Sequence, residues 1–158
     1  MKRAFARAWY VAALILWSLV APAADAGNVE FDRSSQRALF ELQPILNPLT
    51  KHQLTDKVVI VSFFANWCPP CGSEFMNLNT LKAEFDDDME IVAVNVFEAW
   101  DEFDDERLAA FLADLNQTFP VLSGNQRVKQ LFGDVDRIPT VFAFGADKLR
   151  AAILDALR

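Results

Sequence analysis

Residues 58–71 read Val-Val-Ile-Val-Ser-Phe-Phe-Ala-Asn-Trp-Cys-Pro-Pro-Cys. The first eight are β-branched, aromatic and apolar, the pattern of a strand buried on both faces and hence of a central parallel strand. Beyond them, Cys71, Phe75, Leu78, Leu81, Lys82 and Phe85 recur at three- and four-residue steps. That is the period of an amphipathic helix, with Lys82 alone breaking the apolar stripe. The only two cysteines of the chain, Cys68 and Cys71, therefore fall where a strand ends and a helix begins.

Placement sets their chemistry. The free N–H groups and positive dipole end of a helix favour a thiolate over a thiol. A free cysteine titrates near ~8.5, and helix N-termini or Cys-x-x-Cys settings lower this to about 3.5 to 7.5. Cys68 is thus expected to be the exposed, attacking sulfur. Cys71, one turn inside and facing the core, is expected to break a mixed disulfide formed at Cys68. Pro69 and Pro70 suit the first helical turn, where a missing N–H is tolerated.

Other readings of the pair stand beside this one. A structural Cys-x-x-Cys staple closes too small a loop to restrict the unfolded chain much. A zinc site needs two more Cys or His ligands, and His52 is the sole histidine. A non-catalytic module, holding copper through Cys68, Cys71 and His52 or simply binding a protein, is the contrasting class.

The N-terminus has the parts of a secretory signal. Lys2, Arg3 and Arg7 precede the apolar run Val11 to Val20, and Ala24-Asp25-Ala26 offers small residues around a cleavage point. The apolar run is shorter than the ~20 residues of a membrane-spanning helix, so cleavage and export are the expectation and an uncleaved anchor the alternative. The expected organisation is a signal over 1–26, an extension and connection over 27–55, and one α/β domain over 56–158. The whole chain carries a net charge of −7. The signal would take away three basic residues and one acidic one, leaving the remainder more acidic still. Such a balance argues against nucleic acid and anionic surfaces as partners. The acidic runs Asp86-Asp87-Asp88 and Asp101 to Glu106 read as solvated surface, the second opening a helix whose dipole favours acids.

Along the chain, Ser34 to Arg37 suggests a turn or short helix, and Pro44 and Pro48 mark 43–56 as a connection. Glu90 to Val96 is a second β-rich run, completing a strand–helix–strand unit with parallel strands. A helix bearing Leu108, Phe111, Leu112 and Leu115 follows, then Phe119-Pro120-Val121-Leu122 and a short helix near Val128, Leu131 and Phe132. Arg137-Ile138-Pro139-Thr140 leads into the strand Val141 to Phe144. Leu149, Ile153 and Leu157, spaced by four, give the tail a helical stripe.

Trp-Cys-x-x-Cys together with a downstream Ile-Pro-Thr resembles the thioredoxin fold, and the longer spacing between the two motifs is similar to exported TlpA-like and ResA-like thiol-disulfide oxidoreductases. The resemblance covers about Phe40 to Phe144. It implies a thioredoxin-like α/β fold, a central mixed sheet flanked by helices, here lacking the last strand. It implies that Pro139 is cis and lies against the active-site disulfide, and that the backbone of Ile138 pairs with a client chain by strand addition. Trp67, Pro69, Pro70, Ile138 and Pro139 would then form the surface a client meets. Glu98, after the second strand, would exchange protons with Cys68 and Cys71. No metal and no cofactor beyond the Cys68–Cys71 disulfide is implied. The implied partners are client thiols or disulfides, among them cysteines awaiting haem or copper, and a membrane thiol donor serving a periplasmic monomer. Two departures stand out: Ser62 occupies the place of a buried aspartate, and Phe97 stands where relatives often carry glycine.

Overall fold

The computed structural model describes residues 29–98 and 105–145. Its elements in chain order are α1 (Arg33–Phe40), β1 (Gln43–Leu46), a 3-10 turn (Lys51–Leu54), β2 (Val58–Phe64), α2 (Pro69–Glu84) and β3 (Met89–Asn95). They continue with α3 (Asp105–Leu115), β4 (Val121–Ser123), α4 (Gln126–Leu131) and β5 (Thr140–Phe144). The strands form one sheet in the order β1-β4-β3-β2-β5. β2 runs parallel to β3, and β3 parallel to β4, while β1 and β5 are antiparallel to their neighbours. The sheet is therefore mixed, as expected. The signal segment, the acidic residues 101–104 and the tail beyond Gly145, where a helix and no further strand were expected, lie outside the described residues.

Every residue of β2 and β3 is buried, which is why both read as mostly apolar runs, interrupted by Ser62 in β2 and by Glu90 and Asn95 in β3. One face of the sheet packs against α2 and α3 through Phe64, Phe75, Leu78, Leu108 and Phe119. The other packs Val59, Val61, Phe63 and Val94 against Leu39, Val128 and Phe132 of α1 and of α4 with its C-terminal cap. Phe75 is fully enclosed by aromatic neighbours, its ring centroid 4.7 Å from Phe64, 5.8 Å from Phe111 and 5.5 Å from Phe119.

One segment differs from the sequence reading, and one open reading is resolved. Residues 43–46, read as part of a connection, form the exposed outer strand β1, paired with β4. Pro44 interrupts less than expected, because an outer strand leaves one side unpaired and can accommodate a residue without an N–H. Ser34 to Arg37 lies inside a two-turn helix, started by the Asp32 carboxylate accepting the Ser35 N–H at 2.9 Å. The stretch expected as extension and connection thus contributes α1 and β1 to the same body, with Leu39 and Leu42 in its core.

The topology gathers the site at one end. α2 leaves the C-terminal end of β2, and parallel β3 finishes beside it, with Phe64 opposite Asn95. Antiparallel β5 starts there, with Thr140 opposite Phe63. Cys68, Glu98 and Pro139, remote in sequence, are therefore delivered to the same end of the sheet. Gly124 keeps this end compact. Its N–H donates to the Asn95 carbonyl at 2.8 Å, and a Cβ at this position would meet that oxygen at 2.7 Å.

A disulfide at the strand ends: the candidate redox site

Cys68 is the N-cap of α2, and Pro69 and Pro70 are its first two helical residues. With both prolines lacking an N–H, the first backbone donor of the helix is Cys71, which bonds the Cys68 carbonyl at 3.0 Å. This turn brings the sulfurs together: Cys68 and Cys71 form a disulfide with an S–S distance of 2.08 Å.

Cys71 is fully buried in the cluster of Phe64, Phe75 and Leu78, as its place on the apolar stripe required. Cys68 differs from expectation, being only 4% exposed. It is reached through a cleft of about 410 Å³ lined by Trp67, Pro69, Pro70, Phe97 and Ile138. These walls, together with the bond to a buried partner, cover the sulfur in the oxidised state. Trp67 forms the outer wall at 37% exposure, its indole N–H donating to the Phe97 carbonyl at 3.1 Å. Ile138 lines the same cleft, and the Ile138–Pro139 peptide is cis.

Glu98 is 8% exposed and directly follows Phe97 of the cleft wall. Its Oε1 accepts the Asn66 backbone N–H at 2.8 Å and the Asn95 side-chain amide at 2.5 Å. These bonds tie the loop that carries Cys68, two residues after Asn66, to the end of β3. His52 stands apart, exposed in the 3-10 turn and not among the residues lining the cleft. Among the described residues no group of three His, Cys, Asp or Glu side chains is placed to hold a metal ion.

A second carboxylate, Glu74, escaped the sequence reading. It lies one turn beyond Cys71 on α2, and fully buried Ser62 of β2 donates its hydroxyl to Glu74 Oε1 at 2.5 Å. Burial raises the Glu74 carboxyl above its ordinary value, and the Ser62 bond offsets part of that rise. Residues three apart on a helix are neighbours, so Glu74 and Cys71 share a face. The signal was present in the sequence as a lone hydroxyl within an apolar strand and a glutamate three residues past the second cysteine.

A disulfide at the cap of a helix, a cis-prolyl peptide bond whose Ile138 lines the same cleft as Cys68, and a mixed sheet beneath define a thioredoxin-like protein. The sequence profile of the AhpC/TSA family matches residues 36–151, and the chain belongs to that family. Over 66 residues it is 36% identical to Thioredoxin-like protein YneN of Bacillus subtilis, covering 42% of this chain and 38% of that one. Over 113 residues it is 33% identical to Thiol:disulfide interchange protein HelX of Rhodobacter capsulatus, covering 70% of this chain and 60% of the relative. These matches thus span between two fifths and three fifths of the relatives' own lengths. The crystal structure of StoA from Bacillus subtilis superposes with a TM-score of 0.53 at 22% identity, over 66% of this chain and 77% of StoA. A DsbF homologue from Corynebacterium diphtheriae gives 0.55 at 18% identity, over 73% of this chain and 85% of its own. Both show that the fold is shared.

Proposed function

We propose that this protein is an exported thiol-disulfide oxidoreductase that reduces disulfides in client proteins. The observation that carries the reading is the Cys68–Cys71 disulfide, with the outer sulfur at a helix cap facing a cleft and the inner one buried. The name of HelX, a thiol:disulfide interchange protein, supports the same chemistry.

In the reduced protein the Cys68 thiolate attacks one sulfur of a client disulfide. The client S–S bond breaks, a Cys68–client disulfide forms, and the released client thiolate takes a proton. Cys71 then loses its proton and attacks the Cys68 sulfur. The Cys68–Cys71 bond closes, the second client sulfur leaves, and two electrons have passed from the protein to the client. A membrane thiol donor returns those two electrons and reopens the pair. Glu74, held at a raised value next to Cys71, accepts the Cys71 proton, and Glu98, the carboxylate expected for that task, fixes the Cys68 loop and is the second candidate for moving protons. Ile138 offers its backbone to an extended client segment, with Trp67, Pro69, Pro70 and Pro139 around it.

The two prolines support reduction as the direction. They remove the N–H groups of the first two helical positions, which would otherwise bond a Cys68 thiolate, so the reduced state gains less stabilisation than in a motif with free amides. A less stabilised dithiol gives its electrons more readily. Clients with cysteines awaiting haem or copper suit a reductant outside the cytoplasm. Insulin reduction tests the reading: Cys68→Ser is expected to abolish turnover, and activity retained by that variant overturns it.

A further inference from the structure

Phe97 follows the end of β3 with a backbone φ of +62°, the left-handed region that a Cβ-bearing residue rarely enters. Such a conformation persists only where the surroundings hold it. Here the Phe97 carbonyl accepts the Trp67 indole N–H at 3.1 Å, and the Lys129 ammonium lies 4.3 Å from the ring centroid. The following residue, Glu98, is fixed through Oε1 to Asn66 and Asn95. The half-buried ring stands with Trp67, Cys68 and Ile138 around the 410 Å³ cleft. The polar groups at this wall are already used, since the indole donor and the Phe97 acceptor satisfy each other. Asp136 and Arg137, also at the cleft, pair at 3.1 Å, so its lining carries one charge of each sign.

We propose that Phe97 is a specificity-determining residue, the aromatic wall that selects client disulfides whose reactive cysteine is flanked by a bulky apolar side chain. The inference rests on the thiol-disulfide exchange proposed above. A client sulfur brought to Cys68 places its neighbouring side chain in a cleft that is aromatic, aliphatic and charge-balanced. An apolar side chain gains from leaving water against Phe97, Trp67 and Ile138, whereas a polar one loses its water against the same surfaces. The Lys129 contact holds the ring in place, so Lys129 is a positioning residue for the same wall.

The test compares two disulfide-linked peptides that are identical except for Phe or Ser beside the reactive cysteine, with oxidised glutathione as a small substrate without either side chain. For the reduced parent protein, kcat/KM is expected to favour the Phe-flanked peptide about tenfold, the lower end of what one side chain in an apolar pocket supplies. Phe97→Gly keeps the backbone carbonyl for Trp67 and adopts φ +62° without a Cβ penalty, so the fold is retained. In that variant the preference is expected to collapse towards unity through KM, while Phe97→Leu keeps most of it. A preference unchanged in Phe97→Gly, or a loss confined to kcat and equal for both peptides, overturns the inference. If the reduced parent exchanges with none of the three disulfides, the exchange reading itself falls and this inference with it. Exchange with all three at equal efficiency removes the inference alone.

Discussion

Removing the carboxylate of Glu98 separates a clamp from a proton carrier. Its Oε1 is the shared acceptor for the Asn66 N–H and the Asn95 amide, and both Glu98 and Asn95 are buried. Glu98→Ala leaves two donors without this acceptor. A hydrogen bond to a charged group contributes roughly 1.5 to 3 kcal/mol, and water can reach the half-buried Asn66 more readily than Asn95. The expected loss is about 3 kcal/mol, which for a domain of this size lowers Tm by about 10 °C. Glu98→Gln keeps a carbonyl oxygen in place and should stay within about 1 kcal/mol of the parent. Urea unfolding of the three proteins, in their oxidised form, measures this directly. A Glu98→Ala variant that unfolds at the parent's urea midpoint would refute the clamp. The pH profile of Cys68 alkylation in reduced Glu98→Gln then speaks to proton transfer: an unchanged profile leaves Glu98 as a positioning residue, and a shifted one makes it the carrier.

Glu74→Gln tests the other carboxylate. Burial raises the folded value of Glu74 above the ordinary 4.5, so the folded state holds its proton to higher pH than the unfolded chain does. Its contribution to stability is full below 4.5 and is lost as pH rises through the raised folded value. The glutamine variant should therefore lose less stability than the parent on going from pH 4.5 to neutrality, and should resolve mixed disulfides at Cys68 more slowly; parallel stability curves would contradict this. Phe75→Ala, which empties a site walled by three phenylalanines, should cost about 4 kcal/mol in urea unfolding. Lys82 lies nearly buried, donating to the Met89 carbonyl at 2.9 Å and standing 3.5 Å from the buried Glu90 carboxylate. Lys82→Ala strands that carboxylate and should cost about 3 kcal/mol, read as a lower urea midpoint.

Where neighbouring residues in sequence carry the information, the fold was legible. Val58 to Ala65 could only be an interior strand, and the spacing of Cys71, Phe75, Leu78 and Leu81 could only be one buried helical face. Together they placed Cys68 at the cap and Cys71 in the core. Information that depends on a partner far along the chain was not legible. Ser62 and Glu74 look like two unrelated polar interruptions until α2 folds back across β2 and the hydroxyl meets the carboxylate. β1 was hidden by Pro44, whose effect depends on whether the strand is interior or outermost, a property of the sheet and not of the segment. The exposure of Cys68 was overestimated because its cover comes from Phe97, just after β3, and Ile138, just before β5. The left-handed backbone at Phe97 was hidden because a phenylalanine gives no hint of it; Trp67, Lys129, Glu98 and the packing of its ring against the core hold it there.

The central claim is that the two sulfurs are unequal. The measurement that tests it most directly is the iodoacetamide alkylation rate against pH for the reduced Cys71→Ser and Cys68→Ser proteins. Cys68, alone in the first variant, is expected to titrate below the ~8.5 of a free cysteine and to react readily at neutral pH. Cys71, alone in the second, should stay inert there. Equal rates, or faster alkylation of Cys71, would contradict the account.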